Sequence, residues 1–182
     1  MTCIVGFVEK GTVFMAGDSA GVSGWDLRVM KHPKVFINNK MIFGYTSSFR
    51  MGQLLQYSLK IPAQGDKPDY DYMCTDFIDS VKKCFKDNDY AENVKNVITG
   101  GTFLVGYRGN LYKICNDFQV SIAIDGYDAC GCGESYALGA MRNLTNPNYS
   151  PQAILQKALE TAEYFSAGVS GPFTFESLNN EN

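Results

Sequence analysis

The sequence predicts an α+β fold with largely antiparallel sheets. Apolar, β-branched segments occur in groups separated by short turns, which is the pattern of β-hairpins. Segments with apolar residues at helical spacing come in pairs rather than after each strand. Because parallel sheets need alternating strands and helices, this order favours hairpins covered by helices. The 182 residues contain no repeat, low-complexity tract or linker, so one domain over residues 1–182 is predicted.

Two hairpins and two helices are predicted in the first half of the chain. The predicted strands are residues 2–8, 12–16, 35–37 and 40–45. Asn38 and Asn39 separate the second pair of strands, and adjacent asparagines tolerate the positive φ of a two-residue turn. Apolar residues at helical spacing then predict helices that begin near Met51 and Met73.

The second half of the chain continues with strands and then two more helices. The predicted strands are residues 102–107, 111–115, 118–124 and, near the end, 173–175. Gly133 precedes a helical segment that runs to about Asn143. Ser150 followed by Pro151 is typical of a helix start, because serine caps the first turn and proline fits its first position.

Composition excludes several classes of function. A net charge of −3 and a pI near 5.1 argue against a nucleic-acid partner. No apolar stretch approaches the ~20 residues that span a bilayer, and no signal peptide is recognisable, so we expect a cytoplasmic protein without a membrane partner. His32 is the only histidine and the Cys130–Cys132 spacing suits zinc poorly, so we expect neither a metal site nor a cofactor.

The start of the chain carries the parts of a nucleophilic site. Removing Met1 would leave Thr2 with a hydroxyl nucleophile and a free α-amine that can serve as its base. Lys34 would lower the pKa of that amine by like-charge repulsion, and Asp18 would hold the lysine in place. These residue types also occur together by chance, so the surrounding sequence must support the interpretation.

The surrounding sequence resembles proteasome β-type subunits and HslV peptidases, which are N-terminal nucleophile (Ntn) hydrolases. The similar segments include Thr2-Cys-Ile-Val-Gly-Phe, Met15-Ala-Gly-Asp18-Ser19, Lys34-Val-Phe and Gly131-Cys-Gly. The resemblance extends over roughly residues 2–171. It implies a four-layer αββα sandwich with two antiparallel sheets.

The resemblance also assigns roles to individual residues. Thr2 would attack a peptide carbonyl, Lys34 would supply positive charge, and Asp18 would orient the lysine. The backbone N–H of Ser48 would stabilise the oxyanion, a function that does not depend on the side chain. Thr46 would line the pocket for the substrate side chain.

Two positions depart from the family pattern. Cys132 stands where the family usually has a serine that hydrogen-bonds the nucleophile's amine, and it also fits a small buried residue. Ser170 matches a late serine of the family site, but Ala167 stands where proteasome subunits carry an aspartate. We therefore count Cys132 and Ser170 as site residues in a partly altered environment.

The resemblance further implies a peptide or unfolded-protein substrate and a homo-oligomeric ring. An ATP-dependent unfoldase would feed that ring, because the chain has no phosphate-binding Gly-x4-Gly-Lys-Ser/Thr motif. Two alternatives remain open from the sequence. One is an inactive structural subunit that retains Met1, and the other is an Ntn amidase that acts on a small amide.

Overall fold

A computed structural model describes residues 1–90, 92–94, 97–144 and 148–180. The strands in these ranges are β1 Cys3–Glu9, β2 Thr12–Gly17, β3 Ala20–Ser23, β4 Asp26–Val29, β5 Val35–Asn38, β6 Met41–Tyr45, β7 Glu92–Val94, β8 Val97–Thr99, β9 Phe103–Tyr107, β10 Asn110–Ile114, β11 Val120–Ser121, β12 Tyr127–Gly131 and β13 Thr174–Asn179. The helices are α1 Phe49–Tyr57, α2 Asp69–Tyr72, α3 Ile78–Asp87, α4 Glu134–Leu144 and α5 Pro151–Phe165, with a π-helical turn, Met73–Phe77, between α2 and α3. No helix within these ranges is long and apolar enough to cross a membrane.

The strands form two larger antiparallel sheets. The first has the order β12–β1–β2–β13 and the second has the order β11–β10–β9–β6–β5. Strands β3 and β4 form a separate hairpin, as do β7 and β8. The predicted α+β class with antiparallel sheets is therefore confirmed.

The buried side chains fall into three clusters. One lies between the second sheet and the segment α1–α3, where the Phe43 ring is 6.3 Å from Phe77 and 6.5 Å from Phe103. Another joins the first sheet to α4 and α5. The third contains residues from both sheets, including Ile4 and Ile42. Apolar burial of this kind is the main stabilising contribution to the fold.

The two sheets approach closely where one strand carries glycine. A Cβ built on Gly44 would lie 2.4 Å from Ile4 Cγ2, closer than carbon atoms can pack. Gly44 belongs to the second sheet and Ile4 to the first. The absent side chain therefore lets β1, which follows Thr2 directly, lie against β6.

Several predicted turns and caps occur in the structure. Asn39, between β5 and β6, has the positive φ (54°) that the asparagine pair predicted. The Ser150 side chain caps α5 by accepting a hydrogen bond from Ala153 N at 3.3 Å, with Pro151 at the first helical position. Local sequence therefore sets these boundaries.

Other elements differ from the sequence predictions. The strand predicted over 118–124 is only Val120–Ser121, because Phe118 adopts a positive φ and its N–H bonds back to Cys115 in a turn. The last strand is longer than the predicted 173–175. The sequence reading missed the hairpins β3–β4 and β7–β8 and the strand β12, whose pairing with β1 joins distant parts of the chain.

Candidate active site

The pairing of β1 with β2 brings Thr2 and Asp18 together. Ile4 is opposite Gly17, so the residue before β1 lies beside the residue after β2. Asp18 N donates to the Cys3 carbonyl at 3.2 Å, and Cys3 N donates to Asp18 Oδ1 at 2.9 Å. The antiparallel register thus fixes the Asp18 carboxylate beside the start of β1.

Lys34 lies between these two residues. Its Nζ donates to Thr2 Oγ1 at 2.9 Å, to Asp18 Oδ1 at 2.9 Å and to the Ala20 carbonyl at 2.6 Å. An ammonium has three N–H donors, and each of them has one acceptor here. The side chain is only 1% exposed, so its position is set by these contacts rather than by solvent.

Asp18 is held as firmly as the lysine. In addition to Lys34 and Cys3 N, which share Oδ1, its Oδ2 accepts from Ala20 N at 2.9 Å. The residue is 1% exposed. Buried carboxylates are stable as anions when charge and N–H donors surround them in this way.

Burial and the carboxylate act in opposite directions on the lysine. Desolvation lowers the pKa of Lys34 below its ordinary value, while the neighbouring Asp18 carboxylate raises it. Desolvation is the larger effect. A lysine with a lowered pKa next to a hydroxyl is typical of functional sites, although structural ion pairs also perturb pKa values.

Met1 engages both reactive groups of Thr2. The Thr2 hydroxyl donates to the Met1 carbonyl, and the Thr2 nitrogen is the amide of the Met1–Thr2 peptide bond. An amide nitrogen has no basic lone pair that could accept the hydroxyl proton. With Met1 attached, the chain therefore has the nucleophile but lacks its base.

Cys132 reaches Thr2 because β12 pairs with β1. Gly131 is opposite Cys3, and a Cβ on Gly131 would lie 2.2 Å from the Thr2 carbonyl oxygen, so only glycine fits there. Cys132 Sγ accepts from Thr2 N at 3.3 Å and donates to Thr2 O at 3.4 Å. Its side chain is exposed, which does not fit the alternative of a small buried residue.

Ser166 is a neighbour of the site that sequence reasoning missed. Its hydroxyl donates to Cys132 Sγ at 3.4 Å. Ser166 follows the last residue of α5 and is 34 positions from Cys132, so only the packing of α5 against β1 and α4 brings the two together. No local signal in the sequence indicates this contact.

Ser170 does not contact Thr2 among the hydrogen bonds of the described residues. Its carbonyl accepts from Ser19 N at 2.9 Å, and its hydroxyl donates to the Gly171 carbonyl at 3.4 Å. Ser19 follows Asp18 directly, so Ser170 supports the site through the backbone. Ala167 is exposed.

The turn before α1 lies beside the same site. Ser47 has a positive φ (62°), and Ser48 N donates to the Thr46 carbonyl at 2.6 Å. The Ser48 N–H, which was predicted to stabilise an oxyanion, is thus occupied by the backbone in this structure. Thr46 is buried, and its hydroxyl donates to the Thr102 carbonyl at 2.7 Å.

A cleft of about 350 Å³ opens over these residues. Its lining includes Thr2, Lys34, Thr46 and Ser48. A second cavity, of about 430 Å³, shares Tyr45, Phe49 and Arg50 with the first. The second cavity is lined further by Met30, His32, Pro33, Gly52, Gln53, Gln56, Tyr57 and Ser58.

Two other observations concern cysteine and metal chemistry. Burial raises the pKa of the Cys3 thiol well above its ordinary value, which makes this thiol a poor nucleophile. In the described ranges, no group of three or more His, Cys, Asp and Glu side chains is placed to hold a metal ion.

Comparison with known proteins gives matches in structure but none in sequence. No protein-family model matches the sequence, and no curated protein matches it. Thiobacillus denitrificans BPH, in a structure with epoxomicin, has a TM-score of 0.82 at 18% identity and covers 98% of both chains. BPH without that compound gives the same values. The eukaryotic HslV from Trypanosoma brucei has a TM-score of 0.71 at 18% identity, covering 98% of this chain and 99% of its own. The chain therefore has the fold of proteasome β-type and HslV-like proteins.

Proposed function

We propose that this chain is a threonine peptidase that hydrolyses peptide bonds through Thr2 after Met1 has been removed. The observation that carries the proposal is the buried Lys34 ammonium, which is 2.9 Å from both Thr2 Oγ1 and Asp18 Oδ1. A positive charge fixed against a hydroxyl oxygen favours the developing alkoxide and repels a second positive charge on the adjacent amine. Both effects activate the same nucleophile.

The reaction would proceed through an acyl-enzyme. The Thr2 hydroxyl transfers its proton to the Thr2 amine as the oxygen attacks the substrate carbonyl. The amine then gives this proton to the departing nitrogen, which leaves an ester on Thr2. A water molecule, deprotonated by the same amine, hydrolyses the ester and restores the free hydroxyl.

The contacts of Met1 explain why it must be removed first. They direct the Thr2 hydroxyl proton to the Met1 carbonyl and keep the Thr2 nitrogen as an amide. Removal frees the hydroxyl and creates the amine in one step. Met1 is exposed and Thr2 has a small side chain, which suits removal by a methionine aminopeptidase.

The surroundings of Thr2 support a peptide as substrate. The cleft over Thr2 adjoins the cavity lined by Tyr45, Phe49 and Met30, which suits a large apolar side chain next to the cleaved bond. Thr46 would shape the entrance to it. The Ser48 N–H would turn from the Thr46 carbonyl to the oxyanion when substrate binds, and losing such a donor costs about 3 kcal/mol in other hydrolases.

Assembly and location complete the proposal. The three apolar clusters support a four-layer αββα sandwich, and the HslV-like fold supports a homo-oligomeric ring fed by an ATP-dependent unfoldase. All six cysteines are free thiols, which fits a reducing compartment, and we place the enzyme in the cytoplasm.

Intact mass combined with three variants tests the proposal. Active protein should be lighter than the full chain by one methionine residue. Thr2→Ala should abolish turnover and any adduct with an epoxyketone, whereas Cys3→Ala and Cys132→Ser should both retain turnover. A thiol nucleophile would give the reverse pattern, with Thr2→Ala active and one of the cysteine variants inactive.

The same experiment separates the two alternatives. An inactive structural subunit would keep Met1 on every chain and hydrolyse neither peptides nor small amides. A small-molecule amidase would lose turnover of its amide in Thr2→Ala but leave peptides intact. Activity in protein that carries Met1 on every chain would disprove the role of the α-amine.

A further inference from the structure

The Ser166 hydroxyl, the Cys132 thiol and the backbone of Thr2 form a continuous series of hydrogen bonds at the edge of the site. The Ser166 hydroxyl donates to Cys132 Sγ at 3.4 Å, and Cys132 Sγ contacts both backbone polar atoms of Thr2. In the chain that carries Met1, the Thr2 nitrogen is an amide, and its N–H stands in for one N–H of the amine that processing would leave. The contacts therefore describe how the amine would be held.

The number of hydrogens on the sulfur fixes the direction of each bond. A thiol has one hydrogen, and here it is donated to the Thr2 carbonyl oxygen at 3.4 Å. The sulfur then accepts the N–H of Thr2 and the O–H of Ser166 with its lone pairs. A thiol arranged in this way cannot donate to the nitrogen of Thr2.

We propose that Ser166 is a positioning residue which, through Cys132, keeps the lone pair of the Thr2 amine free to act as base. By donating to the sulfur, Ser166 favours the thiol orientation in which S–H points to the Thr2 carbonyl. Without Ser166 the thiol can rotate and donate to the amine lone pair that must accept the hydroxyl proton. This inference rests on the proposed function of Thr2.

The segment around Ser166 is held well enough for this role. Ser166 N donates to the Ala162 carbonyl at 2.9 Å, and the Ser166 carbonyl accepts from Val169 N at 3.1 Å. Further along, Glu163 accepts from Gly171 N at 2.7 Å, which ties the following loop back to α5. A side chain on an anchored backbone holds its partner more accurately than one on a free loop.

Ser166→Ala tests the proposal through its kinetics. The value of kcat should fall about two- to tenfold, the loss expected for one ordinary hydrogen bond, while KM stays unchanged. The acidic limb of the pH profile should move to lower pH, because a thiol that donates to the neutral amine lowers the pKa of that amine. A Ser166→Thr variant, which retains the hydroxyl, should keep both kcat and the acidic limb of the pH profile at their wild-type values.

A double-mutant cycle and a matched control isolate the contact. Adding Ser166→Ala to Cys132→Ala should cause no further loss, because the sulfur through which Ser166 acts is already absent. Ser121→Ala, on the edge strand β11, removes a hydroxyl bond of the same 3.4 Å length to the Lys113 carbonyl of β10 and should leave kcat unchanged. The rate of Cys132 alkylation by iodoacetamide should fall about twofold or more in Ser166→Ala, because the thiolate is the form that reacts and the sulfur loses an O–H donor that would stabilise it.

The outcomes distinguish the inference from the function on which it rests. If Thr2→Ala retains turnover, the proposed function fails and the inference fails with it. If Thr2→Ala abolishes turnover but Ser166→Ala keeps the wild-type kcat, pH profile and alkylation rate, only the inference is overturned. An equal loss from Ser166→Ala with and without Cys132 would also overturn it.

Discussion

Replacing Asp18 by asparagine is the sharpest test of the electrostatics at Thr2. The substitution keeps the shape of the side chain but removes the charge opposite Lys34. If the amide oxygen stays at Oδ1, facing Cys3 N and Lys34, the new NH2 group faces Ala20 N, which is also a donor. The variant therefore loses one hydrogen bond and leaves a buried lysine without a counter-charge.

The expected loss of stability is large. Removing one partner of a buried ion pair costs about 3–5 kcal/mol, and both residues here are 1% exposed. For a chain of this size that corresponds to a Tm lower by roughly 6–20 °C. The Asp18 carboxylate also raises the pKa of Lys34, so its removal lets that pKa fall further and weakens the positive charge at Thr2. We therefore expect Asp18→Asn to lower turnover as well as stability.

Urea unfolding followed by circular dichroism, at fixed protein concentration, measures the effect. Asp87→Asn is the matched control, because Asp87 pairs with Lys83 at 2.8 Å but both side chains are more than half exposed, at 53% and 75%. The control should change the free energy of unfolding by less than about 0.5 kcal/mol.

A second variant shows whether the uncompensated charge causes the loss. Adding Lys34→Met to Asp18→Asn removes the unpaired ammonium and should recover part of the stability, although not the turnover. If Asp18→Asn costs no more than Asp87→Asn, or keeps full turnover, the buried pair does not have the role assigned to it.

Three further predictions concern individual residues around the site. Lys34→Met should lower kcat by about 100-fold or more, the loss typical of an oxyanion-type interaction, while circular dichroism shows a folded chain; near-normal turnover would exclude the lysine as activator. Gly168→Ala should lower kcat, because the added Cβ would lie 2.7 Å from Cys132 Sγ and displace the thiol; unchanged kcat and an unchanged Cys132 alkylation rate would contradict this. Burial raises the pKa of Tyr45 from 10.0 to about 12, so the folded state holds a proton that the unfolded state loses between these values. Stability therefore falls as pH rises from 10 to 12, by up to about 2 kcal/mol, and Tyr45→Phe should remove this part of the slope in urea titrations.

Much of the fold could be predicted because it is encoded locally. The hairpin β5–β6 follows from two apolar runs on either side of an asparagine turn, and the start of α5 follows from Ser150 and Pro151. The predicted proteasome β-type and HslV-like fold is confirmed by structures that share only 18% of the sequence. Strand β12 escaped prediction because its place depends on pairing with β1, more than a hundred residues earlier.

The sequence by itself determined which reactive groups are available: a hydroxyl at Thr2, a carboxylate at Asp18 and an ammonium at Lys34, each within two residues of an end of a predicted strand. Only the tertiary structure decided how they meet, since hydrogen-bond distances and desolvation depend on the packing of strands from different parts of the chain. The packing of α5 against β1 and α4 brought Ser166 to Cys132, which no spacing in the sequence indicates. The turn at Ser47 likewise directed the Ser48 N–H to the Thr46 carbonyl, because backbone φ and hydrogen bonding at that turn are set by the elements that flank it.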